Sequence, residues 1–472
     1  HDLYNAMPGA PEFLLDEDWL ENRFNAKPSM FTYVHEQSDG PFWDRASSLD
    51  KYDQIKVPGF HIGGWYDGYR NSLPRMVERV SSAVKAMIGP WDHYLPHNAW
   101  PGPQLEWRHD AVRWFDHWLK GEDTGIMDEP VFAIYMRDYH PPDPELTEVA
   151  GNWFWIDEWP PAQSVQQTWY AHDDHGLRRS ESRPDIHIHD YQPSRGLEGG
   201  GQTMWWGSIP PDQQPNDDYC LVYESDPLEA AMEIVGFPLA SLPVSSTARH
   251  ANWVVRLSDV APDGQVTQVV GAACNGTHRH SPREPEHLVP GQEYEINIPL
   301  HFTSWRFPAG HRIRIAISNS QWPMLWPSPE TMRTTLAIGG GSGARISFPV
   351  ISSRDFPAPD FPAPEGQSPG LAGYETLDPG NVTGYAGITR IERDPDTGEA
   401  LGVASNSTAQ QYPWGVERFE ERIEYRTSDS NPEVSSSLGI YAIEQQLADR
   451  TLRFEQEVLF TSDREHFHLR ID

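Results

Sequence analysis

Apolar and polar positions change their period along the chain. Residues 1–54 show one helix-like run near Asp16 to Phe24 and no β alternation. Ile55 to Ile62 is then a short apolar run closed by Gly63-Gly64, and Asn71 to Val80 carries apolar residues at helical spacing. Val84 to Ile88 repeats the buried-strand pattern and ends at Gly89-Pro90. Between Leu105 and Lys120, residues Val112, Phe115 and Leu119 recur at three- and four-residue spacing, with Gly121 as a helix stop. Strand, helix, strand, helix predicts a parallel α/β sheet over residues 55–130.

From Val131 to about residue 352 the helical period disappears. Short β-type runs separated by Pro, Gly and Asp take over: Cys220 to Glu224, Trp253 to Asp259, Gln265 to Ala273, Tyr294 to Leu300, His311 to Ile317 and Arg345 to Val350. These predict an antiparallel sandwich or jelly roll, and Pro262-Asp263-Gly264 a tight turn within it. The doublet Phe-Pro-Ala-Pro around Asp360 marks residues 353–380 as a Pro-rich linker. Residues 381–472 read as an antiparallel β extension, with a hairpin from Tyr385 to Ser405 and strands at Arg418 to Arg426, Thr451 to Phe460 and His466 to Ile471. That alternation is unbroken at Asp472, so the expectation is that a short tail is missing.

Composition narrows the function classes. A chain of 472 residues exceeds one ordinary core and predicts two or three domains. Nineteen tryptophans and 12% aromatics are too much ring surface for a disordered chain. No run approaches the roughly 18 apolar residues of a membrane helix, and the mean hydropathy is -0.62, so a soluble protein with no membrane partner is expected. The net charge of -33 and the absence of a basic stripe argue against nucleic acid. Cys220 and Cys274 are too few for a disulfide framework and lack metal-ligand spacing. The sequence starts at His1 with no readable targeting signal, and a cytoplasmic location is the expectation; oligomeric state is open, a homo-oligomer included.

Two segments carry candidate chemistry. In Val57-Pro-Gly-Phe-His-Ile-Gly-Gly-Trp-Tyr-Asp67-Gly a carboxylate lies just past the end of a predicted parallel strand, where open α/β sheets place catalytic groups. Its alternative is a turn Asp capping the helix near Asn71. In Ala86-Met-Ile-Gly-Pro-Trp-Asp-His93 an imidazole takes the same place after the next strand. An acid loop followed by a histidine loop matches the tail of the Ser, Asp, His order of α/β-hydrolases. A carboxylate on one imidazole nitrogen fixes the tautomer, so the other nitrogen can shuttle the nucleophile's proton. Asp92 is a second candidate acid. Trp65, Trp91 and Trp100 flank the pair and are candidate pocket walls, with core packing as the alternative. Asp16, Glu17 and Asp18 could meet a substrate ammonium or simply face water. His109 and His117 lack a carboxylate to complete a metal face, and neither metal nor organic cofactor is expected.

The strings GGWYDG, GPWDH and RWFDHWLKG closely resemble the X-Pro dipeptidyl-peptidase / cocaine-esterase family of serine hydrolases, also called CocE/NonD. The resemblance extends through Cys220 to Leu228, Leu257 to Gly264 and Phe307 to Arg314 with Ser318 to Ser320. It implies part of a helical cap over residues 1–54, the carboxyl-terminal part of an α/β-hydrolase core over 55–130, and a jelly roll over 131–352 shaping one wall of the pocket. It puts the triad acid on Asp67 and the base on His93. The sequence departs from the family in one respect: the G-x-S-x-G nucleophile elbow occurs nowhere in it. Gly340-Gly-Ser342-Gly comes nearest, but Ala344 replaces the last Gly, and Ser29, Ser38, Ser47 and Ser48 lack flanking glycines. The resemblance therefore implies a serine acyl hydrolase, acting on a small-molecule ester, amide or peptide, whose nucleophile and oxyanion donors lie outside these residues, leaving the fragment alone inactive. The rival expectation is a non-catalytic carbohydrate- or ligand-binding β-sandwich.

Overall fold

The computed structural model describes residues 2–199, 209–351, 356–366, 371–380 and 387–472. Strands β1 (Gly59–Gly64), β2 (Val84–Gly89), β3 (Phe132–Arg137) and β4 (Gly151–Ile156) form one sheet in that order, the first three parallel and β4 antiparallel to β3. β2 and β3 are buried almost throughout, which is why they read as unbroken apolar runs and not as alternation. This sheet continues to Ile156, past residue 130, where the helical period of the sequence ends. The Ser72–Arg79 helix joins β1 to β2, and the Arg108–Phe115 helix continues as a π-helical turn to Lys120. Gly121 ends it in the left-handed conformation, φ 73°, as its place in the sequence predicts. The stripe of Val112, Phe115 and Leu119 does not face the core: all three are exposed, Leu119 by 78%, while Trp114 is buried.

The second layer system is a sandwich of a nine-stranded and a four-stranded sheet. Ile234, Leu242, Leu336 and Phe348 of the first meet Val255, Leu257, Ile313 and Ile317 of the second in one apolar core. The turn at Pro262 forms, with Gly264 at φ 94°. The sandwich also packs on the first sheet, where Val235, Phe302 and Ile351 share a cluster with Ile88, Phe132 and Ile134.

The Pro-rich segment is more than a spacer over its described part. Phe356 packs on Phe154 and Phe361 on Trp153, with ring centroids 5.3 and 5.0 Å apart. Its prolines lack donors but offer acceptors: the Trp155 and Glu106 N–H groups donate to the Pro357 and Pro362 carbonyls. Residues 353–355 and 367–370 of the predicted linker lie outside the described residues, as does Tyr385. A seven-stranded meander with strands of up to 14 residues follows, its first strand, Glu375–Asp378, lying inside the predicted linker. It contains the predicted hairpin at Asp394 to Gly398 and two strands, Glu375–Asp378 and Ser436–Leu447, that the sequence reading missed. The amino-terminal segment is a set of short helices with no strand among its described residues. It rests on this meander through Leu3, Met7 and Ile443 and on a sandwich loop through the Asp44–Arg283 ion pair.

Candidate active site

Asp67 follows β1 and His93 follows β2, so both stand at the carboxyl edge of the parallel strands. Two main-chain hydrogen bonds tie their loops together, Trp65 N–H to the Gly89 carbonyl and Tyr66 N–H to the Trp91 carbonyl, and a third, Asp67 N–H to the Gly64 carbonyl, closes the acid loop on itself. Gly64 permits this closeness, since a Cβ there would lie 2.1 Å from the Trp91 carbonyl oxygen. Gly64 of the GGWYDG string is therefore a packing requirement.

His93 Nδ1 donates to Asp67 Oδ2 at 2.9 Å, and Asp67 Oδ1 accepts the Tyr69 N–H at 2.9 Å. One carboxylate oxygen fixes the loop and the other fixes the imidazole, which leaves the basic lone pair on Nε2. Asp67 is buried, with an 11% exposed side chain, whereas the His93 side chain is 52% exposed. The Tyr69 ring lies 5.5 Å from the imidazole. Arg70 donates to the Trp65 carbonyl at 2.8 Å. Burial and the neighbouring Arg137 pull the Arg70 pKa down to about 10, against the opposing pull of Asp67.

The other candidates separate. Asp92 is buried, its N–H donates to the Trp100 carbonyl, and its Oδ1 has no hydrogen-bond partner among the described residues. Burial pushes its pKa up to about 7. His93 Nδ1 donates to Asp67, not to this neighbour in sequence. Trp65 and Trp91 do not offer pocket walls: both are fully buried, with indole N–H groups donating to the Tyr135 and Pro103 carbonyls. Trp100 alone of the three has surface to offer, at 40% exposure. Ser342 lies in a loop between two sandwich strands. Asp16 caps a short helix by accepting the Trp19 N–H. His109 meets Glu365 and His117 the Glu122 carbonyl, so the two are used separately.

Residues behind the acid loop escaped the sequence reading. The Tyr66 hydroxyl meets His140 Nε2 at 2.8 Å, and His140 Nδ1 donates to the Pro141 carbonyl, so His140 is a neutral acceptor. Burial lowers its pKa to about 4. Arg137 lies 5.2 to 5.4 Å from the ring centres of Trp65, Tyr66 and Trp305, and donates to the Ser304 carbonyl and Thr303 Oγ1. No sequence signal pairs residues so far apart.

Two family models match the chain: "X-Pro dipeptidyl-peptidase (S15 family)" over residues 14–95, which include Asp67 and His93, and "X-Pro dipeptidyl-peptidase C-terminal non-catalytic domain" over residues 124–341. A Mycobacterium bovis protein named as a serine esterase is 28% identical over 326 residues, 62% of this chain and 50% of that protein. The cocaine esterase of a Rhodococcus species is 26% identical over 315 residues, 60% of this chain and 52% of that one. The chain thus spans about half the length of the curated relatives it matches. Among solved structures, an aminopeptidase from a Thaumarchaeota archaeon (21% identity, 68% of this chain and 60% of that one) and an α-amino acid ester hydrolase (18%, 68% and 60%) each superpose with a TM-score of 0.54. A CocE/NonD hydrolase of Staphylococcus aureus also reaches 0.54, at 14% identity over 71% of this chain and 61% of that one. The chain belongs to the X-Pro dipeptidyl-peptidase / CocE family of hydrolases.

Proposed function

We propose that this chain supplies the acid and base of a serine acyl hydrolase, with Asp67 orienting His93 and the nucleophilic serine contributed from outside these 472 residues. The observation that carries the reading is the 2.9 Å hydrogen bond from His93 Nδ1 to a buried carboxylate at the carboxyl edge of the sheet. In this mechanism the serine attacks an ester or amide carbonyl while His93 Nε2 takes its proton. The imidazolium, stabilised by Asp67, returns that proton to the leaving group, and water then releases the acyl group by the same route. Two surfaces support a nucleophile on further polypeptide: β1 pairs only with β2 among the described residues, and the exposed Val112, Phe115 and Leu119 stripe has no cover. Remaining strands and helices of a hydrolase core would bury both. The names of the relatives favour a small-molecule ester or a peptide as substrate, with Trp100 near its path.

In a protein that joins this chain to a G-x-S-x-G segment, His93→Ala lowers p-nitrophenyl ester hydrolysis by about three orders of magnitude, by analogy with other triads. Undiminished turnover removes His93 from the mechanism. The chain alone gives no acyl-enzyme burst, and a clear burst places a nucleophile within it.

A further inference from the structure

The acid loop is held from two sides. Its main chain is laced to the histidine loop, and its side chains reach into the segments 135–140 and 301–305. Trp65 packs on Phe302 with ring centroids 5.0 Å apart, Tyr66 meets His140, and the last contact comes from Asn71.

Asn71 occupies the N-cap position of the Ser72–Arg79 helix, where an asparagine ordinarily accepts a hydrogen bond from the first turn. It makes no capping bond. Its amide turns instead to a strand approach 230 residues away, where Oδ1 accepts the Phe302 N–H at 2.8 Å and Nδ2 lies 2.7 Å from His301 Nδ1. The backbone N–H can only donate, which fixes the amide orientation, so Nδ2 donates and His301 Nδ1 accepts. His301 must therefore be neutral with its proton on Nε2. Burial, Arg70 and Arg75 hold it so, lowering its pKa to about 4. Both polar ends of one side chain are thus spent on the sandwich at the expense of a cap four residues after Asp67.

We infer that Asn71 is a positioning residue for the Asp67–His93 pair, the point through which the sandwich sets the acid loop. The inference rests on the reading of that pair as catalytic, but its first test does not. In this chain, with ¹⁵N-labelled histidine, the His93 Nδ1–H held by Asp67 gives a low-field NMR signal protected from exchange. Asn71→Ala removes both contacts to residues 301–302 and broadens or abolishes that signal while the circular dichroism spectrum stays native. Asn71→Asp keeps an acceptor for the Phe302 N–H, and a neutral His301 can carry its proton on Nδ1 and donate it to the other carboxylate oxygen, so the clamp re-forms and the His93 signal is retained. This rescue by the near-isosteric variant separates positioning from misfolding. An unchanged His93 signal in Asn71→Ala overturns the inference, as does loss of the signal in Asn71→Asp with a native circular dichroism spectrum. In the serine-containing protein, Asn71→Ala lowers kcat at least about tenfold with KM little changed. If His93→Ala leaves turnover intact, the catalytic reading fails and the clamp stands on the NMR result; if His93→Ala abolishes turnover and Asn71→Ala changes neither signal nor kcat, the clamp fails.

Discussion

Asp67 and Asp92 are both buried carboxylates beside one imidazole, and hydrogen bonding separates them. Asp67 spends one oxygen on the Tyr69 N–H and the other on His93. Asp92 has an unpartnered Oδ1 and is raised by burial to about 7. A buried acid whose folded pKa exceeds its unfolded value of about 3.9 binds more protons in the native state between those values, so stability falls as pH rises from about 4 to 7. Asp92→Asn removes this dependence and is more stable than the parent at pH 8, but not at pH 3.5, in urea melts at the two pH values. Equal denaturation midpoints at pH 8 refute the assignment. The acid and histidine were legible in sequence because each follows an apolar strand and a glycine. The choice between the two aspartates was weaker there, since side-chain direction in a loop is not written in spacing.

At the scale of elements, the sequence was most readable where one period ruled: β1, β2, the Ser72–Arg79 helix and the Gly121 stop. It misled where burial had two sources. The stripe Val112, Phe115 and Leu119 has the spacing of a core face yet points to solvent, and β3 and β4, joined without a helix and antiparallel to each other, carry the same local pattern as sandwich strands. The glycine that ends β1, Gly64, is a requirement of strand-to-loop contact. Gly64→Ala places a methyl against main-chain atoms of Trp91 and Asp92 that no rotamer can relieve. We expect a loss of at least about 2 kcal/mol in thermal or urea unfolding, and loss of the His93 Nδ1–H signal. Gly341→Ala, which meets only the Glu181 side chain, is the matched control and stays near the parent.

At the scale of the molecule, the carboxyl-terminal meander supports the amino-terminal segment. Arg450 donates to the Glu12 and Phe13 carbonyls, and Phe13 packs on Trp414 with ring centroids 4.7 Å apart. Truncation after residue 380 therefore exposes residues 2–24 to protease, while the sandwich, whose core has no residue beyond 350, stays resistant. Limited proteolysis with mass spectrometry decides this, and an equally protected amino terminus refutes it. None of this support was legible, because the two ends share no pattern and meet only through long-range packing.

The Asn71–His301 contact also has a consequence in time. At roughly 5 to 20 residues per second, the ribosome adds His301 some ten to fifty seconds after Asn71, so β1, β2 and the histidine loop emerge well before their anchor exists. Chains stalled before residue 301 should then hold Asp67 in a loop cleaved by protease, and chains stalled beyond the exit tunnel's reach of residue 307 should protect it. On this reading the geometry of the Asp67–His93 pair is fixed only after the sandwich that anchors it has been made.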